Sequence, residues 1–430
     1  MLFWLGILVV ILTFVGIVKK YDAKTCLFVA GLVMCMAAGN PLTAVNTFTK
    51  LLTNSFLVPI IACSMGFACV ISLTECDKHF SYFALRYLLK VKLLLVPMSV
   101  LLIWLFSNAI NSPAGLAAAV APIIVPVLMR AGIPPAMAAA TVLLGTWGEF
   151  TSVSSGLAAV VGSYSGHDVP TLVLKALPAS LTGLVVTLVV ITLTAIWRKE
   201  LYNGEKATKD EKSKADAVMA EVLAFKVNYL RALMPILPIV ILLLGTDQIG
   251  WIYKFTVPQA MLICTALTLL VTWKSPFKAV NEFCQGMGTG FASIVALIAA
   301  AGVFTAGMTE VGLISSLIEA MKGSVDLAKV SASWATFLLA ALSGSGDAAT
   351  LAFNTAITPH AASFGLDSDL VGMTAYLGAA LGRTLSPVAG VTLICAGVAR
   401  VDPLELVKRT APACVFTNIA AMIILSYVLQ

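Results

Sequence analysis

Gly382-Arg383-Thr384-Leu385-Ser386-Pro387 lies inside an apolar run, residues 370–398, that is long enough to cross a bilayer. Arg383 is the one charge in that run and stands near its middle. Gly382 and Pro387 flank it, and these are residue types that let a helix stop and restart. A charge at the bilayer centre costs about 2.5–3.5 kcal/mol even on the lenient insertion scale, so it marks a functional site by default. The competing reading is a charge neutralised by an acid elsewhere in the bundle, tying helices together. The helix break beside the charge favours a substrate-facing role.

The rest of the chain has the composition such a span requires. Of 430 residues, 60% are apolar and 11% charged, well below the roughly 25% charge of a soluble domain. This is the composition of a polytopic helical membrane protein. The formal net charge of +6 is read as loop asymmetry that sets orientation, not as a nucleic-acid surface. The nine cysteines form no CxxC pair and the three histidines stand far apart, so neither a metal site nor a disulfide framework is indicated. Nothing resembles a nucleotide-binding loop, and no nucleophile–base pair can be picked out. No cofactor is expected.

Residues 1–197 and 227–430 repeat one plan, joined by the hydrophilic linker 198–226. An offset of 234 aligns Gly148 with Gly382, Ser152 with Ser386, Gly156 with Gly390, Asp168 with Asp402 and Pro178 with Pro412. An offset of 235 aligns Ala44-Val45-Asn46 with Ala279-Val280-Asn281. An offset of 236 brings the polar cluster from Ser107 onto Ser343-Gly344-Ser345-Gly346-Asp347. Nearly equal offsets at matching Gly, Pro and polar positions indicate a tandem duplication.

Each half holds two apolar arms around a polar tip, about 93–130 and 330–364, and then a span with an interruption, 134–161 and 370–398. If each pair of arms is a re-entrant hairpin, each half crosses five times. With the linker in the cytoplasm, most Lys and Arg then fall inside, the positive-inside pattern, and both termini fall on the periplasmic side. Five crossings also make the halves antiparallel, the plan of many secondary carriers. The expected fold is therefore all-α and polytopic, with two inverted repeats of five spans, each carrying a re-entrant hairpin and a broken helix. Segments 74–92 and 309–329 mix charges with apolar residues and read as interfacial helices. Asn40-Pro41 is read as the start of an outer loop, and 51–73 as the third span.

Half-helix N-termini at such breaks present free N–H groups and partial positive charge, which suits an anion. Arg383 adds a planar fork that matches a carboxylate. Ser107, Asn108, Asn111, Ser112, Thr151, Ser152, Ser343, Ser345, Thr384 and Ser386 supply further donors, with Gly344 and Gly346 in the second tip. Helix capping and back-bonding would account for any one of these hydroxyls, but poorly for all together. Glu149 is the repeat counterpart of Arg383. It is left with three roles: pairing with Arg383 in the empty site, carrying a coupling proton, or holding a cation. Asp347 caps a hairpin arm or binds a cation. Asn108, Glu149 and Asp347 are thus the candidate ligands for a coupling ion, H⁺ or Na⁺.

The runs Ser343-Gly344-Ser345-Gly346-Asp347, Leu381-Gly382-Arg383-Thr384-Leu385-Ser386-Pro387-Val388-Ala389-Gly390 and Pro403-Leu404-Glu405-Leu406-Val407-Lys408-Arg409-Thr410 resemble those of the anaerobic C4-dicarboxylate carriers of Dcu type C, within the ion transporter superfamily. The resemblance extends over nearly the whole chain and is stronger in the second half. It implies a bacterial inner-membrane carrier of succinate, fumarate or malate, working by antiport or ion-coupled symport. It also implies a homodimer in which a transport domain slides against a scaffold, an elevator motion. Trp147-Gly148-Glu149-Phe150 departs from the family pattern by its acid. Rival readings are a carrier of another carboxylate or an amino acid, a cation/proton antiporter using Glu149 and Asp347, and an enzyme or a passive channel.

Overall fold

The computed structural model describes residues 2–19, 21–88, 94–110, 112–201, 220, 224–247, 249–322 and 325–429. Asn111 and most of the linker lie outside them. Among the described residues all regular structure is helical. The first half runs α1 (Leu2–Val18), α2 (Ala23–Ala37), α3 (Pro41–Leu52), α4 (Leu57–Leu73), α5 (Cys76–Leu88), α6 (Leu95–Ala109), α7 (Pro113–Arg130), α8 (Pro135–Gly145), α9 (Gly156–Ser165) and α10 (Val169–Trp197). The second runs α11 (Tyr229–Leu233), α12 (Leu237–Leu244), α13 (Val257–Thr272), α14 (Pro276–Glu310), α15 (Leu313–Lys322), α16 (Val325–Ser343), α17 (Gly346–Ala356), α18 (Ser368–Thr384), α19 (Gly390–Ala399) and α20 (Pro403–Val428). Helix starts at 23, 156 and 169 recur at 257, 390 and 403, each 234 residues on.

Among the described residues five helices (α7, α10, α14, α16 and α20) are each long and apolar enough to cross a membrane. Most begin with a proline in the first turn, where its missing N–H is no loss. α14, at 35 residues, contains a π turn at Phe291–Val295. Large apolar side chains such as Leu8, Leu12, Val185, Val189 and Leu193 stay exposed on α1 and α10, as a bilayer solvent allows. The multi-pass helical membrane protein expected from composition is what the chain forms.

The helices pack in two groups. α2, α3 and α4 lie along α14, and α13 lies on α4. Glycines set that close approach: a Cβ on Gly31 would stand 2.4 Å from the Val303 carbonyl oxygen, and one on Gly286 2.5 Å from that of Met65. The second group holds α6–α10 and α16–α20, with α16 on α18 and α10 on α20. The groups meet where α4 touches α9 and α14 touches α17.

α10 and α20 run antiparallel. Thr417 hydrogen-bonds the Gly183 carbonyl at 3.4 Å, and the Arg409 guanidinium holds Glu200 at 2.5 and 2.9 Å. In sequence Gly183 precedes Glu200, whereas Thr417, the partner of the first, follows Arg409, the partner of the second. Only opposite directions bring both pairs together. Contacts also recur in matched form: α7 on α19 as α17 on α9, α8 on α19 as α18 on α9, and α8 on α20 as α18 on α10.

Two expectations change. Asn40-Pro41 starts no loop: Pro41 occupies the first turn of α3, which meets α4 at a 49° bend, so the third span is broken at residues 53–56. Gly382 is not part of the second break either. α18 continues through Arg383 to Thr384, and the break is residues 385–389. Gly382 is there for packing, since a Cβ would lie 2.0 Å from the Phe337 carbonyl oxygen of α16.

Candidate functional site

The first break follows α8 as a tight 3₁₀ turn, Thr146–Thr151, and ends where Ser155 caps α9 by accepting from Ala158 N–H at 3.3 Å. Glu149 sits within that turn. Its carboxylate accepts from Nη1 of Arg383, and both side chains are buried. Arg383 Nη2 lies 3.5 Å from the Thr146 carbonyl, and its Nε–H has no partner among the described residues. Of the three roles left open for Glu149, pairing with Arg383 is the one this geometry contains. The pair joins residues 234 apart, as does the contact of Gly183 with Thr417.

The first tip closes on the first break. Thr151 donates to Asn108 Oδ1 at 2.7 Å and Ser152 to the Asn108 carbonyl at 3.1 Å, while the Asn108 amide donates to the Trp104 carbonyl at 2.9 Å. Ser112 caps α7 through Gly115 N–H at 3.2 Å. At the second tip, Ser345 caps α17 through Ala348 N–H at 3.2 Å. Gly344 takes φ +76°, where a side chain would be strained, and packs its backbone against Val388 and Ala389. A Cβ on Gly346 would stand 3.3 Å from that of Arg383. Ser107, Ser343 and Thr384 are back-bonded to their own helices at 2.9, 2.7 and 2.9 Å. Ser386 Oγ is buried with no partner among the described residues.

A cavity of about 210 Å³ lies between the two helix groups. Ser112 and Pro113 bring the N-terminus of α7 to it, Ser155 and Gly156 that of α9, and Asp347 that of α17. Glu149 and Tyr376 complete this face, and Met65 and Ser293 close it from the other group. Asn108 instead lines the adjoining crevice with Ser64 and Ser154. The structure thus joins Glu149, Asp347 and Ser112 at one cavity and places Arg383 directly behind Glu149. No group of three or more His, Cys, Asp or Glu among the described residues could hold a metal ion.

Sequence reasoning missed Tyr376 and Ser155. Tyr376 stands seven positions before Arg383, hence on the same face of α18. Its hydroxyl donates to the Glu149 carbonyl at 3.3 Å and accepts from Ser155 Oγ at 3.0 Å. A phenol within an apolar run reads as core. Ser155 before Gly156 was a legible helix cap.

The sequence profile of the C4-dicarboxylate anaerobic carrier family, DcuC, matches residues 66–429. The chain is 38% identical over 267 residues to an uncharacterized transporter of Haemophilus influenzae, spanning 61% of this chain and 94% of that one. It is 27% identical over 460 residues to the anaerobic C4-dicarboxylate transporter DcuC of Escherichia coli K12, spanning 96% and 94%. The chain belongs to the C4-dicarboxylate anaerobic carrier family, and it is a transporter, not an enzyme.

Proposed function

We propose that this protein carries C4-dicarboxylates such as succinate, fumarate and malate across the bacterial inner membrane by secondary active transport. The observation that carries the reading is a buried guanidinium, already fixed by Glu149, whose Nε–H is without a partner among the described residues. Beside it, helix N-termini converge on one cavity. A carboxylate entering there meets the helix N-termini directly, and it reaches the guanidinium, which lies behind Glu149, once Glu149 gives way. Glu149 and Asp347 already face the cavity. A dianion beside two carboxylates and one guanidinium needs co-bound cations, so coupling to H⁺ or Na⁺ follows.

The architecture is two inverted repeats. The constant offset, the antiparallel run of α10 against α20 and the matched contacts support it. The pairs α6–α7 and α16–α17 act as re-entrant hairpins. α1–α4 with α12–α14 form a scaffold, and α6–α10 with α16–α20 form a transport domain that moves as an elevator, with α5 and α15 as connecting arms. The division of contacts into two groups supports that motion. The linker is cytoplasmic, the termini periplasmic, and two copies form the dimer that the superfamily resemblance implies.

Uptake of labelled succinate into proteoliposomes, under imposed Na⁺ or proton gradients, tests the reading. Succinate should accumulate with one inward ion gradient, and fumarate and malate should compete. Cation exchange with no organic solute present would replace the carrier with an antiporter. Uptake of monocarboxylates or amino acids without succinate would change the substrate class.

A further inference from the structure

We propose that Tyr376 is the positioning residue of this site. Its hydroxyl staples both limbs of the first break, holding Glu149 on Arg383 and the α9 N-terminus at the cavity. The proposal deepens the carrier reading and rests on it for its ligand.

The staple is a continuous chain of hydrogen bonds. Ala158 N–H donates to Ser155 Oγ at 3.3 Å, Ser155 O–H to Tyr376 Oη at 3.0 Å, and Tyr376 O–H to the Glu149 carbonyl at 3.3 Å. It starts on the second limb of the break and ends on the first, bridged by α18, the helix that also carries Arg383. Tyr376 is buried, and its ring packs on Phe150 at 5.4 Å between centroids, so its position is fixed independently of the hydroxyl. Glu149 is therefore held twice by α18, at its carboxylate by Arg383 and at its carbonyl by Tyr376.

The other copy has no staple. At the offset of 234, Tyr376 corresponds to Val142 and Ser155 to Ala389. Neither side chain can form the chain of bonds, and α19 has no side-chain cap. Ser386, which corresponds to Ser152, has a buried hydroxyl without a partner, as does Thr392 in the first turn of α19. A device needed merely to keep a broken helix together would be required in both halves. This one occurs only where the break carries Glu149. The stapled break is thus the fixed wall of the site, and the second break is the one that adapts to the ligand.

Two measurements on the full-length protein test this. The first needs no substrate. Hydrogen exchange should be slower for residues 150–158 than for 386–392, and Tyr376→Phe should remove that difference. The second is calorimetric titration with succinate over a pH series. Tyr376→Phe and Ser155→Ala should each bind roughly three- to tenfold more weakly, the loss of about one hydrogen bond. The double variant should be no weaker than the weaker single, because one chain of bonds is being broken. Ser155→Thr, which keeps a hydroxyl, should bind nearly as wild type.

The pH profile separates positioning from simple stability. The charged and titratable groups around Glu149 are Arg383 and Tyr376 from α18 and Asp347 from α17. Tyr376→Phe removes none of their charges, so a changed profile reports a moved Glu149. Unchanged affinity and profile in Tyr376→Phe, even with a lower melting temperature, would overturn the proposal. Equal exchange at both breaks in the wild type would also overturn it, as would additive losses in the double variant. If the wild type binds no succinate yet the exchange difference is present and lost in Tyr376→Phe, the staple stands and the dicarboxylate reading falls.

Discussion

Arg383 and Glu149 are 6% and 5% exposed, and a charge left alone at such depth is unstable. Arg383→Ala strands a buried carboxylate and should destabilise the fold by about 3–5 kcal/mol. Replacing both, Arg383→Met with Glu149→Leu, should recover most of the melting temperature, because apolar isosteres remove the desolvation cost together with the attraction. Succinate should nevertheless bind the double variant at least roughly tenfold more weakly, since a charge-assisted bond contributes about 1.5–3 kcal/mol. Thermal unfolding and calorimetry read the two effects separately. Full affinity in a stable double variant would make the pair a tie between helices and nothing more. Arg383 was legible because it is the lone charge in an apolar run, and its partner was legible only through the repeat offset. The direction of each hydroxyl was not. Ser107, Ser343 and Thr384 turn back to their own helices, and Ser386 turns to no partner. A serine's sequence position is the same either way.

The broken spans were legible at the scale of the element because Gly and Pro mark where a helix stops in lipid, and both breaks lie within a few residues of the expected place. What was lost is what three-dimensional neighbours decide. Gly382 looked like a hinge and is a contact, and Pro41 looked like a loop and opens α3. The two meanings of glycine can be separated by experiment. Gly382→Ala puts a methyl group against backbone of α16 and should lower stability by about 1–3 kcal/mol, an overpacking cost. Gly397→Ala, within α19 and with nothing inside 4 Å of the new Cβ, should be neutral or stabilising by up to about 1 kcal/mol. Melting temperatures of the two variants check this. Equal stability would mean that α16 and α18 separate freely, contrary to their packing.

At the scale of the whole molecule, the offset of 234 was legible in the sequence because few insertions disturb it, and three helix starts recur at it. The antiparallel contact of α10 with α20 required the structure, since Glu200 and Arg409 share no sequence signal. The charges facing and backing the cavity, Glu149, Asp347 and Arg383, have a further consequence once the transport domain moves as proposed. By formal charge they sum to minus one. The unloaded domain then travels through the membrane voltage as a negative particle, and each elementary charge that crosses fully does work of about 2.3 kcal/mol per 100 mV. An inside-negative cell would push the empty site outward and so speed its return after inward delivery, which makes the return the electrically sensitive step. In proteoliposomes held at set potentials, uptake limited by that return should quicken as the interior is made more negative, and Glu149→Gln should remove most of that dependence. Undiminished voltage sensitivity in Glu149→Gln would assign it to other charges. The cell's resting voltage, by this account, acts as a thermodynamic bias on which face the empty carrier presents.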